Sequence, residues 1–330
     1  MIRRSAAITV ALVIAGHSLQ GQDPALPASA LSVRRPDGSW REFWNSRAAP
    51  VRWSAEPFQS WLRWRGGAPG VKWAEVSLRG TAEAWRTRLV VARLDPSQLR
   101  FALDTAFNPR REAAWTLAHA SHDAVFAVNA GQFEATIPWG WVVLNGKSWL
   151  PAQHGPLAPA LLQDSSGALH WVRGDSVPSV ASRAPPRWAF QSYPALLDDG
   201  AVLEPLRSSG HGVDVAHRDA RAAICLTRDG HLLVALTRFD AAGPGLGFIP
   251  FGLTVPEMAG VLGALGCRDA MLLDGGISAR LRVRDVDGSL HDWEGLRAVP
   301  LALLAFPRLD RVSLGDDRPW RRRLPQYLAR

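Results

Sequence analysis

The sequence predicts an α+β fold, a mixed β-sheet with packed helices in a single main domain. Three observations carry that expectation. Short apolar runs bounded by Gly, Pro, Asn or Asp recur from Glu75 onward, as buried strands do. One stretch, TVPEMAGVLGALG, carries a full helix signature. Twice, a helix-like pattern leads directly into a buried strand that ends in Asn or Asp and small residues: REAAWTLAHAS before DAVFAVNAG, and TVPEMAGVLGALG before RDAMLLDGG. Helix, buried strand, polar residue and glycine is how α/β folds offer groups to ligands at carboxyl strand ends. Asn129 and Asp274 are therefore expected to face one cleft.

The elements follow in order. Residues 1–22 read as a signal peptide: Arg3 and Arg4 precede an apolar run from Ala6 to Gly16 that is too short to span a bilayer. Export to the periplasm or the medium is expected, with no transmembrane anchor. Residues 23–74 form a Trp- and Pro-rich extension holding Trp40, Trp44, Trp53, Trp61, Trp64 and Trp73. Such tryptophans serve either as core and lid or as a sugar-stacking surface. Residues 75–306 form the main domain. RLVVARLD and LRFALDT read as strands around Pro96, and AVFAVNAG, GWVVLNGK, ALHWVRG and PALLDDGAVL as further strands. RAAICLTRDGHLLVAL reads as a hairpin turning at Asp229–Gly230. In TVPEMAGVLGALG, Thr254 is the N-cap, Glu257 completes a capping box and Gly266 stops the helix. AVPLALLAF is the last strand, and residues 307–330 are an Arg-rich tail.

Composition narrows the function classes. In 330 residues, a hydrophobic content of 47% supports a packed core and excludes wholesale disorder. The formal charge of +8 rests on arginine, since Lys72 and Lys147 are the only lysines. Arginine binds carboxylate and phosphate as a planar fork, which suits an anionic substrate. No basic run is interleaved with aromatics, so nucleic acid is not an expected partner. Cys225 and Cys267 are either one disulfide or two buried thiols, and the apolar pattern around Cys225 tips the reading to thiols. Neither has zinc-site spacing.

The sharpest chemical signal is Asp274, an acid at a strand end followed by Gly275, Gly276 and Ser278. Glycines there would let a ligand lie against backbone; the alternative is a carboxylate that shapes a turn. HGVDVAHRD offers His211, Asp214, His217 and Asp219. The spacing matches no standard metal motif, so no cofactor is implied and a divalent metal is left open. His217 is a candidate for proton transfer, and Glu134 for a second carboxylate.

AVNAGQF, WGWVVLNGK, RDARAAICLTRDG, GLTVPEMAGVLGALGCRDAMLLDGGISARL and GLRAVPLALLAF together resemble the phosphodiester glycosidase family, in order and approximate spacing, from about Glu75 to Phe306. Asn129, Gly131 and Phe133 match its Asn-Gly-Gly-Phe-Phe pattern, with Ala130 and Gln132 as departures. Arg221 matches the arginine of Pro-Arg-Thr-Ala, with Ala220 in place of proline. Asp274, Gly275, Gly276 and Ser278 match Leu-Asp-Gly-Gly-Gly-Ser, with Ile277 for the third glycine. Arg297 matches the arginine before the last strand, and LTRFD stands where members often have Asp-Gly-Arg. The resemblance implies an exported hydrolase of a glycosyl phosphodiester or related envelope glycan. Asp274, His217 and Glu134 would be its catalytic candidates. Asn129, Gly131, Arg221, Gly275, Gly276, Ser278 and Arg297 would bind sugar or phosphate. The altered glycine motif and the missing Asp-Gly-Arg keep a second reading open, a non-catalytic glycan-binding or envelope-assembly protein on the same scaffold.

Overall fold

A computed structural model describes residues 26–53, 58–240, 249 and 251–308. The expected signal peptide and nearly all of the Arg-rich tail lie outside the described residues. The fold is built from strands, and this corrects the α+β expectation. Among the described residues there are two α-helices, Val177–Ala181 and Val255–Ala264, against strands throughout the chain. Nor is the sheet mixed: every strand pairing among the described residues is antiparallel.

A ten-stranded sheet forms the backbone of the molecule, and two five-stranded sheets accompany it. The strand Cys267–Leu273 lies inside the large sheet, between Ala195–Asp198 and Ala222–Thr227. Its alternation is clean: Met271 and Leu273 join one apolar core, while Ala270 and Leu272 join another on the opposite face. A strand buried on both faces reads as an unbroken apolar run, which is why Ala270 to Leu273 carries no polar partner in the period-two pattern. The first core includes side chains from both five-stranded sheets; the second is roofed by the helix Val255–Ala264.

That helix ends as the sequence dictates. Thr254 accepts a bond from Glu257 N and Glu257 answers to Thr254 N, a capping box. Glu257 is fully buried and also grips Arg218 bidentately, at 2.6 and 2.7 Å. All ten helix residues are buried. The extension contributes to this: Trp44 and Trp53 seat on Gly260 and Gly263, where a Cβ would meet the indoles at 2.4 and 1.9 Å. Its strands Ala30–Arg34 and Trp40–Asn45 extend the large sheet past Val71–Arg79.

The other expected helix, REAAWTLAHAS, is not one. It runs extended, with only a short 3-10 turn at Leu117–His119. Trp115 exchanges backbone bonds with Val299 at 3.0 Å in both directions and donates its indole N–H to Asp104. Tertiary pairing outweighs local helix propensity there. Cys225 and Cys267 form a disulfide, with Cα atoms 5.8 Å apart, correcting the reading as thiols. They lie on neighbouring strands, Ala222–Thr227 and Cys267–Leu273, and the register that brings them together is invisible in the linear pattern.

Candidate active site

Two strand ends meet. Phe126–Asn129 belongs to a five-stranded sheet and Cys267–Leu273 to the large one, yet their exits are sewn together by backbone. Asp274 N donates to Gly131 O at 3.0 Å, and Gln132 Nε2 reaches Leu273 O at 3.3 Å and Tyr193 O at 2.8 Å. Asn129 completes the seam: its Nδ2 donates to Asp274 O at 2.8 Å and its Oδ1 accepts from Arg280 N at 3.0 Å. Asn129 is buried. With both ends of its amide engaged by backbone, its role is to hold the two sheets in register at this point.

The glycines after Asp274 serve a close approach of protein, not an open surface. A Cβ on Gly275 would fall 2.5 Å from Ala220 O, and Gly276 N donates to that same carbonyl at 2.7 Å. Gly276 sits at φ +56°, and a Cβ there would meet the Asp219 carboxylate at 2.9 Å. The glycines thus bring the segment 217–221 against the Asp274 turn. The consequence is a second acid beside the first, a residue that sequence reading placed only among possible metal ligands. The signal that could have singled out Asp219 was its position two residues before Arg221.

Burial pushes the Asp274 carboxyl up to about 6, and the charge of Asp219 adds to the rise; a Ser278 hydrogen bond and the positive charges of Arg297 and Arg280 oppose it. Burial likewise raises Asp219, against the pull of Arg221 and the hydrogen bond from Ala220 N at 2.8 Å. Two desolvated carboxylates, the charge of one raising the proton affinity of the other, are arranged for proton transfer or for attack on an electron-poor carbon. Ser278, buried, is engaged with Asp274, so it orients the acid.

The cations divide into three roles. Arg280 is fully buried and binds the carbonyls of Ser278 at 3.2 Å and Trp115 at 3.0 Å, as well as that of Arg297; it ties the turn to the loop before the last strand. No motif pointed to it. Arg221 donates Nε to Leu253 O at 2.8 Å and Nη2 to His217 O at 2.6 Å. Half of its expected fork is therefore occupied in shaping the 217–221 segment. Arg297 is exposed, lies 4.6 Å over the Phe133 ring and donates to Ala135 O at 3.0 Å. It has the most donors left for an anion.

His217 is exposed, with Nε2 3.8 Å from Asp219 Oδ2. Glu134 is exposed on the small hairpin formed by Phe133–Glu134 and Ile137–Pro138. Gly131 takes part through its carbonyl. Among the described residues, no group of three or more His, Cys, Asp or Glu is arranged to hold a metal ion.

Paired acids with arginines alongside are the equipment of an acid–base site for an anionic substrate. The sequence profile of the phosphodiester glycosidase family matches residues 122–306, and the chain belongs to that family. In fold it is similar to the catalytic domain of zebrafish N-acetylglucosamine-1-phosphodiester alpha-N-acetylglucosaminidase, auto-inhibited by its pro-peptide. That likeness has a TM-score of 0.52 and 15% identity, over 74% of this chain and 87% of that one. A hypothetical protein from Synechocystis is similar at TM-score 0.47 and 17% identity over 72% of this chain, which spans 62% of the length of that protein. No curated protein matches the chain in sequence. Among the described residues, no helix is long and apolar enough to cross a membrane.

Proposed function

We propose that this chain hydrolyses a glycosyl phosphodiester or a related anionic glycan linkage, using Asp274 and Asp219 as its acid–base pair. The observation that carries the reading is the Asp274 carboxyl, raised by burial, beside Asp219 and in the field of Arg297. A phosphate leaving group departs as a stable anion, so demand for a strong general acid is low. What the reaction needs is a carboxylate at the cation-like sugar carbon, as nucleophile or as base for water. Ionised Asp274 takes that part. Asp219 holds the second proton-transfer position, with His217 at its outer side. Arg297 binds the phosphate, and Arg221 supports it while fixing the segment that carries Asp219.

Export to an oxidising compartment, the periplasm or the medium, agrees with the apolar leader and with the Cys225–Cys267 disulfide, which reducing cytosol would not maintain.

The test is release of free sugar from a panel of sugar 1-phosphodiesters, followed by chromatography, with Asp274→Asn as control. Wild type is expected to release sugar from at least one of them, and the variant to do so at least ~100-fold more slowly. Saturable binding of the panel without any release would favour the glycan-binding protein instead.

A further inference from the structure

The candidate site leaves one built feature of the molecule unused. A cavity of about 350 Å³ lies where the extension joins the large sheet, lined by Arg34, Trp40, Arg79, Trp85, Arg86 and Asp240 among others. That volume is in the range of small-ligand pockets. Its cations are unusually available. No carboxylate among the described residues pairs with Arg34, Arg79 or Arg86, while Asp240 is bound by Arg88 at 2.8 Å. Arg79 lies 4.7 Å over the Trp40 ring and Arg86 lies 5.6 Å from that of Trp85. A guanidinium stacked on an indole is held in place with its in-plane N–H groups open to an anion. Both indoles remain partly accessible, Trp40 at 37% and Trp85 at 50%. The indole surface that the arginines leave uncovered can accept the apolar face of a sugar ring.

The position adds to the case. Leu273 registers with Ala222, Ala222 with Leu236, Leu236 with Val90 and Val90 with Glu75. Asp274 and Arg79 therefore lie toward the same rim, four strands or roughly 19 Å apart across the sheet, with Arg79 three residues, or about 10 Å, further along the strand direction.

We infer that this groove is an accessory site for a saccharide chain bearing negative groups, with arginines on the anions and Trp40 and Trp85 under the rings. The choice of a glycan as ligand rests on the hydrolytic reading, but the binding is measured without turnover, so the two fail separately. Single-stranded nucleic acid also stacks on aromatics beside arginines, but the shared rim with a sugar-directed site favours the glycan.

The experiment is isothermal titration of the full chain with three probes: an oligogalacturonate carrying carboxylates, a heparin oligosaccharide carrying sulfates, and a neutral cello-oligosaccharide. Asp274→Asn is titrated in parallel. At least one anionic saccharide is expected to bind in a salt-dependent way, equally in wild type and in Asp274→Asn, with the neutral chain at least tenfold weaker. Arg79→Gln and Arg86→Gln should each weaken the anionic chain by about tenfold, the scale of losing one charged hydrogen-bonded contact. Trp85→Ala provides a second variant at a half-exposed position whose indole meets Phe239 edge-on, and its melting temperature is measured beside the titration so that loss of binding is separated from loss of fold. The inference is overturned if all three variants bind as wild type, if the neutral chain binds as well as the charged ones, if none binds, or if a dT oligonucleotide binds more tightly than every saccharide.

Discussion

The chain makes the same local pattern twice, in DAVFAVNAG and RDAMLLDGG, and uses the two copies differently. Both run through a buried strand to a polar residue followed by small ones. At the first exit, Asn129 is neutral, and its amide is engaged by the carbonyl of Asp274 and the N–H of Arg280. At the second, Asp274 keeps a carboxyl raised to about 6 by burial, steadied by Ser278 and faced by another acid, Asp219. One exit is a fastener, and the other, on the proposed reading, is the reactive group held by it. The lesson is that a polar residue at a strand end declares its role by its partners. A buried neutral amide engaged at both ends by backbone is architecture, whereas a charge kept half-buried at an energetic cost needs another reason to be there.

The comparison can be broken most sharply by exchanging charge for neutrality at the second exit. Asp274→Asn should lower turnover by ~100-fold or more, the scale of a positioned acid–base group, without loss of stability at neutral pH. The sign follows from linkage. The folded-state value lies above that of a free Asp, 3.8, so the contribution of Asp274 to stability is complete below about pH 4 and is lost as pH rises through about 6. At neutral pH the buried charge is a cost that the amide removes, so thermal melting should show Tm equal to wild type or higher.

The first exit should respond in the opposite sense. Asn129→Ala strips partners from a buried N–H and a buried C=O. It should cost roughly 2–4 kcal/mol in denaturant unfolding, with activity per folded molecule reduced far less than in Asp274→Asn. If Asn129→Ala instead abolished turnover at full stability, the division between fastener and reactive group would be wrong. The smallest effect is expected at Glu134, exposed on its hairpin: Glu134→Gln should leave kcat/KM within about twofold, the size expected for a surface change that touches no reacting group.

Much of the element order was legible because strands and turns announce themselves locally. LRFALDT, the Asp229–Gly230 hairpin and the Thr254 capping box are short-range signals, and each forms. The fold class was not legible, because it depends on pairing. REAAWTLAHAS has the helix pattern but lies against Val299, and Cys225 meets Cys267 only through sheet register. The site was half legible. Asp274, Asn129 and Arg221 were visible as types in a motif, but the glycines were read as room for substrate. They are room for Ala220 and Asp219, and that contact between segments more than fifty residues apart creates the second acid. Arg280 was missed for the same reason: its work is with the carbonyls of Trp115, Ser278 and Arg297, which only the fold assembles.

The central claim, that the strand end at Asp274 exists to present a desolvated, ionisable acid, is tested most directly by the pH dependence of kcat/KM on a substrate from the phosphodiester panel. The account predicts an acid limb that rises with pH as Asp274 ionises, with its midpoint near 6, and the disappearance of that limb from the residual activity of Asp274→Asn. A midpoint near 4, the ordinary value of an exposed carboxyl, or a limb that survives in Asp274→Asn, would contradict it.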